Sequence, residues 1–268
     1  MPGESDLEQL MQSEKVTSVK QLRAEKYASV LCYPKYDSEE ATKRIRQLKR
    51  LGVKAIHFTG QKKAFDRSVL GRGHVGIVVV VSTKTGQAAL KIRRLDADRK
   101  EMQHEAEMLA KANSVGIGPH LIAAERDFLL MELINGTLLP DWAANIKGRG
   151  VRSRIRSVLR DILEQCYRLD HAGLDHGELS WAPKHIVIDT LDKPHIVDFE
   201  TASTTRRTAN VTSISQYLFM QSQLARILRR KLGDMDQEVL IAALRSYKHE
   251  PIRQNFEGIL KACRLMRP

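Results

Sequence analysis

The spacing of apolar positions divides the chain into a strand-rich half followed by a helical half. The runs Val69–Val81 and Ala88–Ile92, on either side of the turn Thr83–Gly86, predict a strand, a glycine loop, a strand, a turn and a strand. A third run, Phe128–Ile134, predicts a buried strand that ends in an Asn-Gly turn. The pattern after it is mostly helical, which places a boundary in the region Asn135–Asp141.

Apolar residues recur at helical spacing in three other segments, Ser38–Leu51, Ala97–Ala112 and Ile155–Ala172. The first of these opens with a serine in the capping position and acids in the first turn, the usual start of a helix. Two or three more helices are expected between about Val211 and the C-terminus. Residues 1–15 are polar and acidic, which predicts either a frayed helix or a tail.

The helix predicted at Ser38–Leu51 has a basic face, formed by Lys43, Arg44, Arg46, Lys49 and Arg50. Two interpretations stay open for this face: a solvated side of an amphipathic helix, or a ridge that binds a polyanion. Gly52 is expected to end the helix, and Val53–Phe58 is expected to form a strand.

The net charge adds information about partners. The 268 residues include 44 lysines and arginines against 32 acidic residues, a formal net charge of +12, and the pI is near 9.7. This balance favours a polyanionic partner, with nucleic acid ahead of acidic protein or anionic membrane. The alternative is a soluble basic protein without such a partner.

The cysteines and the apolar runs bear on location. Cys32, Cys166 and Cys263 lie far apart without metal-binding spacing, so neither a zinc site nor a disulfide framework is indicated, and a reducing compartment fits. The longest strongly apolar run, Ile77–Val81, is too short to span a membrane, and the N-terminus does not have the pattern of a signal peptide. We therefore expect a cytoplasmic protein with no membrane partner.

Two acidic residues lie twenty positions apart, each beside a short β-prone apolar run. The first is Glu178 in the sequence HGEL, and the second is Asp198 in the sequence IVDFE. With the apolar run Ile186–Ile188 between them, they predict a hairpin that holds both carboxylates at the mouth of one cleft. Such a pair can handle the proton of a nucleophile and a metal ion.

The glycines Gly71, Gly73 and Gly76 form a G-x-G-x-x-G motif that precedes a strand. A dinucleotide-binding fold needs a helix after these glycines, and a Walker loop needs a following Gly-Lys-Ser/Thr, so both are excluded. Lys91 then lies in an apolar strand, where a lysine is rarely buried without a partner or ligand. Glu105 on the next predicted helix is the first candidate for that partner, and Glu107 is the second.

These features, in this order, resemble the eukaryotic-like protein kinases, particularly their small atypical branches, the RIO kinases and the kinase of the KEOPS complex. The resemblance covers about residues 65–230. It implies an α+β, bilobal, protein-kinase-like fold, with an N-lobe at 61–137 and a C-lobe at 138–268. Residues 1–60 would then form a basic α/β extension.

Three longer phrases, HGELSWAPKHIVI, IVDFETAS and NVTSISQYLF, resemble an archaeal group of RIO-like kinases, the ArkI-type tRNA kinases. Membership of that group implies transfer of a phosphate from ATP, with Mg²⁺, to the ribose 2′-hydroxyl of the uridine at tRNA position 47. A tRNA is then the expected partner, and a protein acceptor is the less favoured one.

The resemblance also assigns roles to residues. Lys91 would contact the α and β phosphates, Glu105 would orient Lys91, and Glu178 would accept or orient the proton of the nucleophile. Asp198 would be the principal Mg²⁺ ligand. The nucleotide-binding set is completed by Gly71, Gly73, Gly76, Val78, Met131, the Glu132 carbonyl and the Ile134 amide.

The sequence also departs from the kinase pattern. Glu178 stands where an aspartate is usual, and Pro183 stands where a metal-binding asparagine is expected. His185 is a second candidate metal ligand, but imidazole is a poor ligand for Mg²⁺, so it either contacts phosphate or only packs. Glu200 replaces the glycine after Asp-Phe, and no Ala-Pro-Glu-like ending follows, which counts against an ordinary protein kinase.

Other residues have two interpretations each. His176 is expected to orient the backbone rather than to act in catalysis, and Trp181 either stacks on a base or lies in the core or its rim. Basic residues that either line an RNA approach or are solvated are Arg206, Arg207, Arg226, Arg229, Arg230 and Lys231. Three functions compete: a tRNA ribose kinase, a RIO-like protein Ser/Thr kinase, and a pseudokinase that binds ATP or RNA without turnover.

Overall fold

The computed structural model describes residues 16–98, 102–220 and 222–266. The tail or frayed helix expected at residues 1–15 lies outside the described residues. The chain forms two compact units: the first takes the described residues up to Glu107 with His120–Leu133, and the second takes Met108–Pro119 with the described residues from Ile134 onward. The boundaries drawn at residues 60 and 137 stay predictions.

In the described residues, the first unit is built on an antiparallel sheet of seven strands that differ in length. Its strands are β1 (Val16–Ser18), β2 (Ala55–His57), β5 (Gly71–Arg72), β6 (Gly76–Ser82), β7 (Gln87–Arg93), β8 (Leu121–Glu125) and β9 (Phe128–Met131). The order is β1-β2-β6-β7-β9-β8, and β5 also pairs with β6. A separate hairpin joins β3 (Lys62–Ala64) to β4 (Arg67–Val69).

Helices and 3₁₀ turns accompany this sheet. They are α1 (Glu25–Ala28), α2 (Ser38–Arg50) and α3 (Gln103–Asn113), with 3₁₀ turns at Gln21–Arg23 and Ser29–Cys32. The segment before residue 60 shares one apolar core with the sheet, since Leu31 and Leu48 belong to the same buried cluster as Ile77 and Leu90. Strands β6 and β7 are buried over most of their length, as their valine-rich and aliphatic sequences predict.

The second unit is mostly helical. Its helices are α4 (Leu139–Asn145), α5 (Val151–His171), α6 (Asn210–Phe219), α7 (Gln223–Leu232), α8 (Gln237–His249) and α9 (Arg253–Ala262). A small antiparallel sheet has the order β10 (Gly136–Leu138), β11 (Ile186–Asp189) and β12 (Pro194–Ile196). The apolar face predicted for α5 is confirmed, because Ile155, Leu159, Ile162, Leu163 and Cys166 are all fully buried.

The α+β class and the hairpin of β11 and β12 are confirmed, but several element limits differ from the sequence prediction. The N-cap of α2 is Asp37, whose carboxylate accepts from the Glu40 amide at 2.8 Å, and not Ser38. The strand expected at Val53–Phe58 is β2 alone. Helix α3 begins at Gln103 rather than Ala97, and residues 99–101 of that prediction lie outside the described residues.

Further corrections fall at the start and the end of the second unit. The strand expected at Phe128–Ile134 ends at Met131, and Gly136 begins β10 rather than closing a turn, because it pairs with Asp189. Four helices, and not two or three, occupy the described residues from Asn210 onward. Short polar breaks such as Gly233–Asp236 separate helices that periodicity alone runs together. Within the described ranges, no helix has both the length and the apolar character needed to cross a membrane.

Candidate active site

The glycine motif forms the connection between β5 and β6 in the first unit. The Gly73 amide donates to the Gly76 carbonyl at 2.8 Å, which closes the turn, and the Arg94 guanidinium donates to the Gly73 carbonyl at 2.9 Å. A Cβ at Gly76 would lie 3.0 Å from the Ile92 carbonyl and from Lys91 Cγ. A side chain at Gly76 would therefore require Lys91 or the Ile92 carbonyl to shift by a few tenths of an ångström.

Lys91 and Glu105 form a buried ion pair. Lys91 lies on β7 opposite Val78 of β6, and its Nζ donates to Glu105 Oε1 at 2.9 Å. The two residues are 5% and 4% exposed, so both charges are almost fully removed from water. Glu107, the second candidate, is exposed and accepts instead from the Gln103 amide at 3.0 Å. The structure thus brings together the lysine and the first of its two candidate partners.

The end of β9 leads into the segment expected to meet an adenine. The Glu132 amide donates to the His120 carbonyl at 2.9 Å, and the Glu132 carboxylate accepts from the His120 amide at 3.1 Å. Met131, the last residue of β9, is partly buried. Among the backbone hydrogen bonds between described residues, none uses the Glu132 carbonyl or the Ile134 amide. Both groups therefore have free capacity for a ligand.

Three ionisable side chains of the second unit converge. His185 Nε2 lies 3.7 Å from Glu178 Oε2 and 3.9 Å from Asp198 Oδ2, and the three donor atoms all lie within 4.8 Å of one another. His185 is fully buried, whereas the Glu178 and Asp198 side chains are 34% and 25% exposed. The predicted carboxylate pair therefore meets at one place, with an imidazole between its members.

The hairpin of β11 and β12 holds this cluster in place. The Val197 amide donates to the His185 carbonyl at 2.9 Å, which fixes the residue before β11 to the residue after β12. Asp198 follows with a φ of +70°, a left-handed conformation that aspartate adopts more readily than most residues. The hairpin alone does not place Glu178, which precedes a 3₁₀ turn at Leu179–Trp181.

His176 has the structural role expected of it. Its ring lies against the Val197 carbonyl, with Nε2 at 3.1 Å, and its amide donates to Asn210 Oδ1 at 2.8 Å. Burial, and after it the neighbouring His185, lower the pKa of His176 to about 4. The imidazole is therefore neutral at pH 7 and acts as a buried spacer between the loop and β12.

Burial also lowers the pKa of His185, while Asp198 and Glu178 oppose that change. At 3.7 and 3.9 Å, however, neither carboxylate is close enough to hydrogen-bond the ring nitrogen. Neither ring nitrogen of His185 has a hydrogen-bond partner among the described residues. The buried imidazole thus lies near two carboxylates without a hydrogen bond to either.

Sequence reasoning missed three residues that support the cluster. The Thr201 hydroxyl lies 3.0 Å from the His176 carbonyl and 3.3 Å from Glu178 Oε2. The Asn210 side chain donates to the Leu174 carbonyl at 2.7 Å and to Asp170 Oδ1 at 2.8 Å. Asn210 and Thr201 lie in phrases that carry the family resemblance, so the resemblance contained a signal for them. Asp170, at the end of a helix, carried none.

Other candidate residues are placed outside this cluster. Trp181 is 71% exposed, so a core position is wrong, while stacking on a base stays a prediction. Arg206 pairs with Asp175 at 2.9 Å, Arg229 lies 3.6 Å from Asp234, and Lys231 donates to the Ile146 carbonyl at 3.2 Å. These contacts reduce the number of free cations on that surface, and a role in RNA approach stays a prediction for all six residues.

The donor set can be compared with the metal that the fold implies. Mg²⁺ prefers oxygen ligands. The carboxylates of Glu178 and Asp198 are such ligands. The imidazole of His185 does not suit Mg²⁺, because nitrogen donors are preferred by transition ions. Two of the three donors therefore fit Mg²⁺ and one does not.

Comparison with known proteins gives one relative in sequence and a neighbour in structure. No family model matches the chain. Over 103 residues the chain is 30% identical to the uncharacterized protein MJ1211 of Methanocaldococcus jannaschii. The matched segment covers 38% of this chain and 84% of that protein. The Rio2 kinase from Chaetomium thermophilum, in its ADP/Mg²⁺-phosphoaspartate complex, overlaps 85% of this chain and 86% of its own, with 17% identity and a TM-score of 0.40. At this identity and TM-score, the structural similarity supports no conclusion about activity.

The protein-kinase-like α+β fold expected from the sequence is the fold of the chain. Its own elements carry that statement: a glycine loop between β5 and β6, a lysine on β7, a paired glutamate on α3, and an acidic hairpin among the helices that follow.

Proposed function

We propose that this chain, which belongs to the family of the uncharacterized protein MJ1211 of Methanocaldococcus jannaschii, is an ATP-dependent kinase. The observation that carries the proposal is the buried ion pair of Lys91 and Glu105 at 2.9 Å, next to a glycine loop in which a Cβ at Gly76 would come within 3.0 Å of the Lys91 side chain. A buried lysine held by a carboxylate is the arrangement that kinases use for the α and β phosphates of ATP. A purely structural role for the pair would not require the glycine loop.

The nucleotide would be held by backbone groups and by one lysine. The amides around Gly71 and Gly73 would approach the phosphates, since glycine lets the backbone come close to them. The Glu132 carbonyl and the Ile134 amide would meet the adenine edge, and Val78 and Met131 would pack against the ring. These assignments combine the free backbone groups with the kinase resemblance.

Transfer of the γ-phosphoryl group forms a bond between the acceptor oxygen and phosphorus and breaks the bond to the β-phosphate oxygen, so that ADP leaves. Glu178 would take the proton of the acceptor hydroxyl, because its carboxylate is 34% exposed and Thr201 holds one of its oxygens. Asp198 would hold the divalent ion, with His185 beside it. When bound, that ion would supply neutralisation of the charge on the phosphates.

For the acceptor we propose the ribose 2′-hydroxyl of a tRNA, in the first place the uridine at position 47. The resemblance of the HGELSWAPKHIVI and NVTSISQYLF phrases supports it, as does the net charge of +12, which favours a polyanion. Glu178 supports a non-standard acceptor as well. It is one methylene longer than the usual aspartate, and an error of about 1 Å in position can cost roughly 10²-fold in rate.

The test is incubation of the chain with γ-labelled ATP and a divalent ion, in the presence of both bulk tRNA and casein. Label in tRNA supports the RNA kinase, and label in casein alone replaces it with a RIO-like protein kinase. ATP binding without any label would make the chain a pseudokinase. The control is Lys84→Ala, since Lys84 is an exposed lysine in the turn between β6 and β7 and should leave transfer unchanged.

A further inference from the structure

The imidazole of His185 is a buried polar group without a partner. The residue is 0% exposed, and neither Nδ1 nor Nε2 has a hydrogen-bond partner among the described residues. Leaving a buried donor or acceptor unsatisfied is unfavourable, because the group loses its hydrogen bonds to water and gains none in return. Groups of this kind in a native structure call for an explanation, and a bound ion is one of the standard explanations.

The distances around His185 suit the donors of a single ion. Nε2 lies 3.7 Å from Glu178 Oε2 and 3.9 Å from Asp198 Oδ2. Around an octahedral ion with bonds of roughly 2.1 Å, neighbouring donors lie about 3.0 Å apart and opposite donors about 4.2 Å apart. The observed separations fall between these two values. Only one carboxylate can lie opposite the imidazole, so octahedral coordination would bring the other about 0.7–0.9 Å closer to it.

A direct interaction with the carboxylates does not account for the arrangement. At these distances Nε2 makes a hydrogen bond to neither Glu178 nor Asp198. Thr201 instead holds the Glu178 oxygen nearest to His185, at 3.3 Å. Hydrogen bonds to ligating carboxylates of this kind orient them in metal sites.

We propose that Glu178, His185 and Asp198 form a site for a divalent transition-metal ion, Mn²⁺ in the first place, in preference to Mg²⁺. Imidazole is a ligand for transition ions and a poor one for Mg²⁺, while carboxylates also suit Mn²⁺. Among the transition ions, Mn²⁺ shares with Mg²⁺ the preference for oxygen donors that two carboxylates and a phosphate supply. Use of the ion in transfer rests on the proposed function, but its binding does not.

The same site leaves Glu178 able to act on an acceptor. Its carboxylate has two oxygens, and Oε2 is the one directed to His185 and Thr201. No described residue donates to Oε1, so this oxygen is the one that would receive the hydroxyl proton. One residue would then bind the ion and contact the substrate, which an aspartate at this position is too short to do in the same geometry.

The test is titration of the full chain with Mn²⁺ in the absence of nucleotide, followed by electron paramagnetic resonance. Wild type should show a nitrogen-14 hyperfine coupling from a directly bound imidazole. Displacement of the bound Mn²⁺ should require a Mg²⁺ concentration at least about tenfold higher than that of Mn²⁺. In His185→Asn the coupling should disappear and Mn²⁺ affinity should fall by at least about tenfold, the lower end of the loss from removing even an outer-shell partner. Mg²⁺ affinity should be retained, because the amide oxygen suits it.

His195→Gln is the matched control. His195 also lies beside a carboxylate, with Nε2 3.0 Å from Asp189 Oδ2, but it is not a member of the three-residue cluster. This variant should keep the nitrogen coupling. Bound Mn²⁺ without nitrogen coupling in wild type, coupling that persists in His185→Asn, or equal affinities of wild type for Mn²⁺ and Mg²⁺ would overturn the proposal.

The wild-type spectrum decides the matter even if a variant fails to fold. Because the titration contains no ATP, it is independent of the transfer assay. Nitrogen coupling without ATP-dependent transfer would leave the metal site standing and reject the kinase. Transfer without nitrogen coupling would reject the metal site and leave the kinase standing.

Discussion

Lys91 and Glu105 form the buried ion pair on which the proposed nucleotide site depends. Their burial means that each charge depends on the other, because an isolated charge in the interior is costly. The sequence predicted this pair from one lysine in an apolar strand and one acid on the next helix. It named His185 as a second candidate metal ligand after Asp198, but it did not place the ring between Glu178 and Asp198. Two extra residues after Pro183 shift the pattern, and only the folded hairpin shows where the ring lies.

Single substitutions of the pair should be far more damaging than the double substitution. Lys91→Met or Glu105→Leu leaves one buried charge unpaired and should lower the free energy of unfolding by about 3–5 kcal/mol. The double variant removes both charges and should recover most of that loss. Urea unfolding of the three variants measures this, and single variants as stable as wild type would contradict the burial of the pair.

Asp127 gives a prediction about pH. Burial raises its pKa, but the Gln47 amide, Arg44 and Arg93 more than offset this and hold the pKa below the ordinary 3.8. For an acid with a lowered pKa, the stabilisation is present above the unfolded-state pKa and is lost as pH falls through the folded-state pKa. The advantage of wild type over Asp127→Asn in free energy of unfolding should therefore be full at about pH 6 and shrink below about pH 3.8. A constant difference over that range would contradict the lowered pKa.

Helix α2 is the element that ties the N-terminal segment to the sheet. Arg44 is fully buried, donates to Glu40 at 3.0 Å and to Asp127 at 3.0 Å, and also reaches the Leu31 and Arg93 carbonyls. The sequence pattern placed Arg44 on a basic face that is either solvated or binds a polyanion, and this placement is wrong for Arg44. The helix was predictable from its period, but the side on which Arg44 lies was not. An apolar stripe does not reveal an acid that comes from the turn between β8 and β9, eighty-three residues later.

Arg44→Leu should destabilise the first unit much more than Arg46→Leu does. The first change leaves Asp127 with fewer partners and two backbone carbonyls unsatisfied, with an expected loss of about 3 kcal/mol or more in free energy of unfolding. Arg46 lies on the exposed side of the same helix, so its replacement should change that free energy by less than about 0.5 kcal/mol. Chemical unfolding compares the two, and equal losses would show that Arg44 is not an anchor.

At the scale of the whole chain, the sequence predicted the α+β class and the order of the kinase-like elements, because valine-rich strands and amphipathic helices have distinct periods. It did not predict that β1 and β2 continue the main sheet. Strand pairing between distant segments depends on edges and register, which short runs such as Ala55–His57 do not encode on their own. The sequence gives the net charge of +12 directly, but it does not show which surfaces carry the positive charge.

Affinity for tRNA should depend strongly on salt if the charge acts on phosphates. For duplex contacts, a plot of the logarithm of the binding constant against the logarithm of the salt concentration has a slope of about −0.9 for each phosphate contacted. Two contacted phosphates therefore lower the affinity roughly tenfold between 50 and 200 mM salt. Filter binding at several salt concentrations gives the slope. A flat response would remove the support that net charge gives to the tRNA acceptor, even if ATP still binds.

The most direct measurement of the central claim is the position of the transferred phosphate. After incubation with ATP, a divalent ion and bulk tRNA, the tRNA is digested to nucleosides and analysed by mass spectrometry, with Asp198→Asn as the inactive reference. The account predicts an internal uridine that carries one additional phosphate on its ribose 2′ oxygen, in the wild-type reaction alone. Phosphate found only at tRNA ends, only on protein, or equally with Asp198→Asn would contradict it.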